Sequence, residues 1–145
     1  MPSVDVAVVY ADGGSRGNPG PSAIGVVVAD ERGTVLLEHK ESIGRGTNNE
    51  AEYRAIATGL DLAGRFTRKD VRCVSDSELA VRQLTGRYGL DSPGLQPLFH
   101  RVKRLERTFH RVSYESRPRL TGLLRRADEL VNEALDEEAS ANRRV

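Results

Sequence analysis

The sequence predicts an α/β domain with a five-stranded mixed sheet, in which three antiparallel strands and two parallel strands are flanked by helices. Three short apolar runs separated by turn signals come first and predict an antiparallel meander. Two further runs alternate with helical patterns, which is typical of parallel strands joined by crossover helices. The 145 residues suit one domain with its own core. We therefore expect a single domain over residues 1–145, with a frayed tail at about 141–145.

The strands of the meander are indicated by alternating apolar residues and by breakers. Apolar residues alternate over residues 4–10, and the carboxylate of Asp12 follows directly. The glycines and prolines of residues 13–21 then predict a loop. Glu31-Arg32-Gly33 predicts a hairpin turn. The second and third strands are expected at residues 23–29 and 34–42, with a short connector at 43–46.

Apolar residues at the spacing of a helix first appear after the meander. Thr47 and Glu50 match a capping box, so a helix is predicted from about residue 48 to 64, with Ile56 on its inward face. Glu52 lies one turn before Ile56 and is therefore predicted to point inward, although a glutamate at the edge of that face could also reach solvent. The later elements are expected as strands at 70–75 and 110–116 and helices at 77–84, 94–109 and about 125–140, with a loop at 117–124.

The net charge, the number of cysteines and the lengths of the apolar runs limit the classes of protein that the chain can belong to. The formal net charge is only +1, so the chain is not globally basic, but a local basic face would still bind nucleic acid. Cys73 is the only cysteine, which excludes a disulfide framework and a cysteine metal site. A reducing, cytoplasmic location is therefore expected. No signal peptide is recognised at the start, and no run is long and apolar enough to span a membrane.

Four carboxylates stand at comparable places in the predicted fold. Asp12 and Asp76 end strands, Glu52 lies on an inward helix face, and Asp128 lies in the first turn of the last helix. Each has an ordinary explanation as a turn residue, a helix cap or a partner of the helix dipole. Clustered carboxylates repel one another unless hard cations neutralise them, and oxygen ligands suit Mg²⁺ or Mn²⁺. Two such ions about 4 Å apart stabilise an in-line phosphoryl displacement, so the residues predict a two-metal nuclease or phosphodiesterase.

Four motifs in this order resemble type 1 ribonuclease H in its short bacterial and archaeal form. They are DGGS with GNPG at residues 12–20, TNNEAE at 47–52, SDS at 75–77 and ADEL at 127–130. Each motif alone is weak, but all four at this spacing are strong. The resemblance covers residues 4–135. It implies a ribonuclease H-like fold and an endoribonuclease that hydrolyses the RNA strand of RNA/DNA hybrids, leaving 5′-phosphate and 3′-hydroxyl ends.

The resemblance also assigns roles to residues. It implies that Asp12 bridges two Mg²⁺ or Mn²⁺ ions, that Glu52 and Asp76 complete one ion, and that Asp128 completes the other. It also implies that glycines stand where the hybrid must approach the protein backbone closely. Arg45 and Thr47 match a pocket for a phosphate of the DNA strand, and capping is an alternative role for Thr47. A monomer is expected. The residues expected to contact the hybrid are Gly13, Gly14, Ser15, Asn18, Arg45, Thr47, Asn48 and Asn49.

The chain departs from the family at a basic segment and in one loop. Residues 86–94 are too few for the basic helix and loop that grip the hybrid in many relatives. The residues that stand in part for this segment are Arg82, Arg87 and Arg101, and Glu78 replaces a common glutamine or lysine.

The loop before Asp128 contains no histidine, whereas many relatives place one there. Leu124 replaces an asparagine of short relatives. Arg117 or Arg119 could attract a product phosphate instead, but solvated loop arginines are expected. The three histidines of the chain, His39, His100 and His110, are predicted to lie away from the site.

Other classes of protein fit parts of the pattern. Integrases, resolvases and transposases have related folds, but they usually carry extra DNA-binding domains, for which 145 residues leave no room. A non-catalytic hybrid-binding module would be expected to lose one of the four carboxylates. A nucleotide-binding P-loop is set aside because residues 13–20 lack its Gly-Lys-Ser/Thr ending.

Overall fold

The central strand of the sheet carries the first carboxylate motif and pairs with a strand on each side. A computed structural model describes residues 3–86 and 92–143 of the chain. Within these residues the sheet has the strand order β3-β2-β1-β4-β5. The strands are β1 (Val6–Ser15), β2 (Gly20–Ala29), β3 (Val35–Gly46), β4 (Asp70–Ser75) and β5 (Arg111–Ser116). The pairs β1–β2 and β2–β3 are antiparallel, and β1–β4 and β4–β5 are parallel, which confirms the predicted mixed sheet.

Helices cover both faces of this sheet. The helices in the described residues are α1 (Asn48–Ala63), α2 (Glu78–Leu84), α3 (Gln96–Glu106) and α4 (Gly122–Arg143). Alternate residues of β1 point to opposite faces, so Val9 clusters with Ile56 of α1, whereas Val8 clusters with Leu124 of α4. Gly59 lets α1 approach the sheet closely, because a Cβ there would collide with Val9. Among the described helices, none has both the length and the apolar character needed to cross a bilayer.

Several predicted elements agree closely with the structure. The fourth strand is confirmed at residues 70–75, and α1 begins at residue 48 as expected. Its capping box is complete: the backbone N–H of Glu50 donates to Thr47 Oγ1 at 3.1 Å, and the backbone N–H of Thr47 donates to Glu50 Oε1 at 3.0 Å. These hydrogen bonds satisfy two amide groups that the helix itself leaves unpaired.

The predicted loop at residues 13–21 and the predicted connector at 43–46 are wrong. β1 continues to Ser15, β2 begins at Gly20, and β3 continues to Gly46, so only residues 16–19 separate the first two strands. The strand partners account for the difference. Gly13 pairs with Ile24 and Gly46 pairs with Gly20, so backbone pairing satisfies segments that look like loops in isolation.

The last helix begins earlier than predicted. It starts at Gly122 rather than at about residue 125, because the buried Leu124 already belongs to its apolar face together with Ala127. Asp128 therefore lies in the second turn, so its predicted position in the first turn is wrong. The helix continues to Arg143, which covers the first part of the expected frayed tail. A loop is also predicted at residues 85–93; its residues 87–91, which include Arg87, and residues 144–145 lie outside the described residues.

Candidate active site

Three carboxylates converge where β1, α1 and β4 meet. In the parallel β1–β4 pair, Ala11 lies opposite Ser75, so the next residues, Asp12 and Asp76, reach the same point of the sheet. Glu52 approaches from the first turns of α1, on the face that packs against β1. One oxygen of each of these three side chains lies within 4.8 Å of the others. The convergence predicted for these three residues is therefore present in the structure.

Two of the three carboxylates are buried, Asp76 is partly buried, and all three are incompletely paired. Asp12 is 3% exposed and Glu52 is 7% exposed, so the alternative of Glu52 reaching solvent is wrong. Within the described residues, no hydrogen-bond partner reaches Asp12 Oδ1, Glu52 Oε2 or Asp76 Oδ1. Buried carboxylates without partners are costly unless a proton or a cation neutralises them. A converging set of oxygen donors fits a hard divalent cation such as Mg²⁺ or Mn²⁺.

Asp76 does not cap the helix that follows it. Ser77 is the N-cap of α2, and its hydroxyl accepts a hydrogen bond of 3.1 Å from the backbone N–H of Ala80. The capping explanation for Asp76 is therefore wrong, and its carboxylate is free to face Asp12 and Glu52.

The protonation equilibria of the cluster reflect its burial. Burial, followed by the negative charge of Asp76, raises the pKa of Asp12 to about 8. Burial and the same neighbouring charge raise the pKa of Glu52 well above its usual value. The positive charge of Arg119 lowers the pKa of both groups. Near neutral pH the cluster therefore retains protons, and a bound cation would release them.

Asp128 lies beside this cluster rather than within it. It lines a cleft of about 280 Å³ together with Asp12, Gly14 and Asn132. Its charge and a hydrogen bond both raise the pKa of Asp12, which places the two carboxyl groups next to each other. The second turn of α4 therefore brings a fourth carboxylate to the open side of the site.

Arg119 is a residue of the site that the sequence interpretation missed. Its side chain is exposed, as expected of a solvated loop arginine, but its Nε also donates a hydrogen bond of 2.8 Å to Asp76 Oδ2, which the sequence did not indicate. Arg117 instead pairs with Glu115. A usable signal was strand order: because β5 lies beside β4, with Ser116 opposite Ser75, the segment after Ser116 must pass close to Asp76.

Polar residues connect the β1–β2 turn to the start of α1. The backbone N–H of Ser15 donates to Asn48 Oδ1 at 2.9 Å, and the backbone N–H of Asn48 donates to Asn18 Oδ1 at 3.1 Å. Thr47 and Asn49 line a neighbouring pocket of about 420 Å³ with Asn18. Predicted hybrid-contacting residues therefore form one continuous polar surface beside the carboxylates.

The two glycines of the first motif have different roles. A Cβ at Gly13 would collide with the backbone carbonyl of Ala51, so this glycine allows β1 to pack against α1. Close approach of nucleic acid, the expected reason for Gly13, is not the constraint there. A Cβ at Gly14 would meet only Val131 Cγ1 at 3.5 Å, an ordinary contact, and Gly14 lines the cleft.

Arg45 lies apart from the pocket that contains Thr47. It is exposed at the end of β3 and lines a separate pocket of about 200 Å³ with Ser42 and Glu138. A shared role of Arg45 and Thr47 at one phosphate therefore stays a prediction.

The histidines occupy other parts of the molecule. His110 Nδ1 lies 3.5 Å from Asp70 Oδ1, at the opposite end of β4 from Asp76. His39 pairs with Glu41 on β3, and the His100 ring packs edge-on against Phe99 of α3.

Known proteins are similar to this chain in both fold and sequence. A family model described as reverse transcriptase-like matches residues 10–134. The bifunctional protein Rv2228c of Mycobacterium tuberculosis (strain ATCC 25618 / H37Rv) is 43% identical over 135 residues, which are 92% of this chain and 36% of that protein. The solved N-terminal RNase H domain of Rv2228c matches with a TM-score of 0.88 at 42% identity, covering 94% of this chain and 98% of that chain. LC11-RNase H1, solved in complex with an RNA/DNA hybrid, matches with a TM-score of 0.84 at 40% identity, covering 92% and 99%.

This chain belongs to the type 1 ribonuclease H family, which confirms the resemblance drawn from its motifs. The ribonuclease H-like fold is confirmed by the same matches. The chain spans about a third of the length of the mycobacterial relative, 36% of it. The family depends on metal ions, and the cluster of Asp12, Glu52 and Asp76 has the geometry to hold one.

Proposed function

We propose that this chain is an endoribonuclease that hydrolyses the RNA strand of RNA/DNA hybrids and leaves 5′-phosphate and 3′-hydroxyl ends. The observation that carries this proposal is the convergence of three carboxylates, each of which has a buried oxygen without a hydrogen-bond partner among the described residues. Such a set is unfavourable in a purely structural role and suits a cation-assisted reaction. The family membership, and the hybrid bound by LC11-RNase H1, support the choice of substrate.

The proposed cofactors are two divalent ions, Mg²⁺ or Mn²⁺. When bound, such ions lower the pKa of a water nucleophile and neutralise charge on the phosphodiester oxygens. Asp12 converges with Glu52 and Asp76 and is also close enough to Asp128 for that carboxylate to raise its pKa, so Asp12 would help to hold both ions. Asp128 faces the open cleft, where a scissile phosphate would enter.

The polar surface beside the cluster is the proposed binding site for the hybrid. The hydrogen bonds that join Ser15, Asn48 and Asn18 fix the backbone where the nucleic acid would lie. Amide side chains can donate to and accept from base edges and the 2′-hydroxyl in a shallow minor groove, and this hydroxyl distinguishes RNA from DNA. We include Gly13, Gly14, Thr47 and Asn49 in this surface, and Arg45 as a phosphate contact at its edge.

The remaining parts of the proposal concern the whole molecule. We propose that residues 1–145 form one ribonuclease H domain that acts as a monomer in the cytoplasm. The single cysteine supports the compartment, because Cys73 alone cannot form a disulfide within the chain.

Cleavage of strand-labelled nucleic acids tests the proposal. A hybrid labelled on either strand is incubated with the protein and Mg²⁺ or Mn²⁺, beside single-stranded RNA, duplex DNA and duplex RNA. We expect cleavage of the RNA strand of the hybrid alone, and none with Asp12→Asn or with chelator. An intact hybrid with both metals, or equal cleavage of single-stranded RNA that survives Asp12→Asn, would contradict the proposal.

A further inference from the structure

The two oxygens of Asp76 have different surroundings. Oδ2 accepts the 2.8 Å hydrogen bond from Arg119 Nε, whereas Oδ1 is buried and lacks a partner among the described residues. The Asp76 side chain is 9% exposed and the Arg119 side chain is 58% exposed. The arginine therefore reaches a buried carboxylate from the solvent side, and its guanidinium can withdraw without leaving a cavity in the core.

Arg119 lies in a short segment that is attached to β4 at its start and forms a turn before α4. The backbone N–H of Arg117 donates to the Ser75 carbonyl at 3.0 Å, which fastens the start of the segment beside Asp76. The backbone N–H of Thr121 donates to the Pro118 carbonyl at 3.3 Å, just before α4 begins. Because the Arg119 side chain is exposed, it can leave Asp76 while both of these backbone hydrogen bonds stay in place. Arg119 lines the cleft that also contains Asp12 and Asp128.

We propose that Arg119 competes with the divalent cation for Asp76, so that cation binding releases the guanidinium toward the cleft. This inference rests on the proposed function, because it takes Asp76 as a cation ligand. A charge-assisted hydrogen bond engages the same carboxylate that the cation requires, and the guanidinium repels the cation at short range. The affinity for the cation in the absence of nucleic acid is therefore set below what three carboxylates alone would give.

The released arginine has an evident use. A guanidinium facing the cleft beside Asp12 and Asp128 presents several N–H donors to a polyanion. Cation binding and hybrid binding are then coupled, since the cation frees a group that binds phosphate, and the bound phosphate holds that group away from Asp76. Each ligand raises the affinity for the other by the same factor.

Titration of Mg²⁺ into nucleic acid-free protein tests the competition. Affinity is measured by calorimetry and by the rise of Tm with Mg²⁺ concentration, for the parent and for Arg119→Gln. We expect Arg119→Gln to bind Mg²⁺ about 5- to 20-fold more tightly, within the usual range of coupling between sites. Unchanged or weaker binding by Arg119→Gln would overturn the proposal.

A matched control separates competition from a general effect of charge. Arg16 lines the same cleft but donates to Asp136 at 2.7 Å, and it contacts no carboxylate of the cluster among the described residues. Arg16→Gln removes the same charge, so a general field effect would tighten Mg²⁺ binding equally in both variants, and that equality would overturn the proposal. If Arg119→Gln folds poorly, Arg119→Lys keeps the charge but loses the planar donor set, and an intermediate affinity is expected. No change in Arg119→Lys would then overturn the proposal.

Failure of this inference differs from failure of the proposed function. A parent protein that binds no divalent cation and leaves the hybrid intact would refute the proposed function. A parent that binds Mg²⁺ and cleaves the hybrid, with no preferential tightening in Arg119→Gln, would refute only the role of Arg119.

Discussion

Two groups of acidic side chains lie beside the same sheet and differ in whether cationic side chains pair with them. Asp12 and Glu52 are buried and Asp76 is partly buried, and each has a buried oxygen without a partner in the described part of the chain. The second group joins α4 to β3, and every acid in it pairs with a cation. There Arg126 pairs with Glu38 at 2.9 Å, Glu129 at 3.2 Å and Glu133 at 2.7 Å, and Lys40 pairs with Glu133 at 3.3 Å and Glu137 at 2.5 Å.

The comparison shows that acidic residues are suited to bind a metal ion when some of their oxygens lack hydrogen-bond and ion-pair partners. The α4–β3 network is partly exposed, and solvent weakens each of its pairs to about 0–1 kcal/mol. Its role is to hold a helix against an edge strand. The cluster of Asp12, Glu52 and Asp76 has one cationic partner, Arg119 on Asp76, and an oxygen of each acid remains without a partner among the described residues, so the cluster is suited to bind a cation from solution. A count of acidic residues would not distinguish these two groups.

The largest expected difference between the groups is in activity. Asp12→Asn should reduce hybrid cleavage by orders of magnitude, because the carboxylates act as one unit. The free energy of unfolding without metal should stay equal or rise, because like-charge repulsion is relieved. Cleavage assays and urea unfolding measure the two effects. The matched variant Glu133→Gln in the α4–β3 network should keep cleavage within about twofold of the parent; near-parent cleavage by Asp12→Asn would refute the distinction.

The next expected effect concerns Asp128, at the boundary of the buried cluster. Asp128→Ala should lose most of kcat, because it removes the carboxylate on the open side of the cleft. His100→Ala and His110→Ala should keep near-parent kcat, since both histidines lie away from the cluster. Steady-state kinetics on a hybrid compares the three variants. Loss of activity on removing either histidine would show that the assignment of Asp128 is wrong.

A smaller effect is expected in the pH dependence of stability without metal. The folded-state pKa of Asp12 is raised to about 8, so its contribution to stability is present below pH 4 and is lost as pH rises toward 8. In chelator, the parent should lose stability relative to Asp12→Asn between about pH 5 and 8, on the order of several kcal/mol. Urea unfolding of both proteins across this range gives the difference. A constant difference would contradict the burial of an unpaired carboxylate.

The smallest effect is expected in the paired network. Arg126→Gln should lower the free energy of unfolding by about 1 kcal/mol, and less at high salt, because its pairs are solvent-accessible and screened. Its cleavage activity should equal that of the parent. Unfolding at low and high salt measures the effect. A loss of several kcal/mol, or of activity, would mean that this network does more than attach α4 to β3.

The sequence allowed prediction where local signals decide structure. The capping box at Thr47 and the strand at residues 70–75 depend on neighbours in the chain, and both agree with the structure. The extra length of β1 and β3 depends on pairing with β2, which overrides the glycines that favour a loop. The convergence of the three carboxylates was predictable because Asp12 and Asp76 stand at predicted strand ends and Glu52 stands on the predicted inward face of a helix.

The remainder of the site depends on tertiary packing. The bond from Arg119 to Asp76 joins residues 43 apart in the chain, and no spacing in the sequence indicates it. The collision that a Cβ at Gly13 would cause with Ala51 likewise arises only when β1 and α1 pack together. Residues brought together by packing are those that local patterns cannot assign.

Crystallography with Mn²⁺ tests the central claim most directly. Crystals of the protein are soaked at an Mn²⁺ concentration that supports cleavage, and anomalous density locates the ion. We expect a peak bounded by Asp12 Oδ1, Glu52 Oε2 and Asp76 Oδ1, the three oxygens that lack partners, and no peak in the α4–β3 network. Absence of density between these three oxygens, or a stronger peak among the paired carboxylates of α4, would contradict the account.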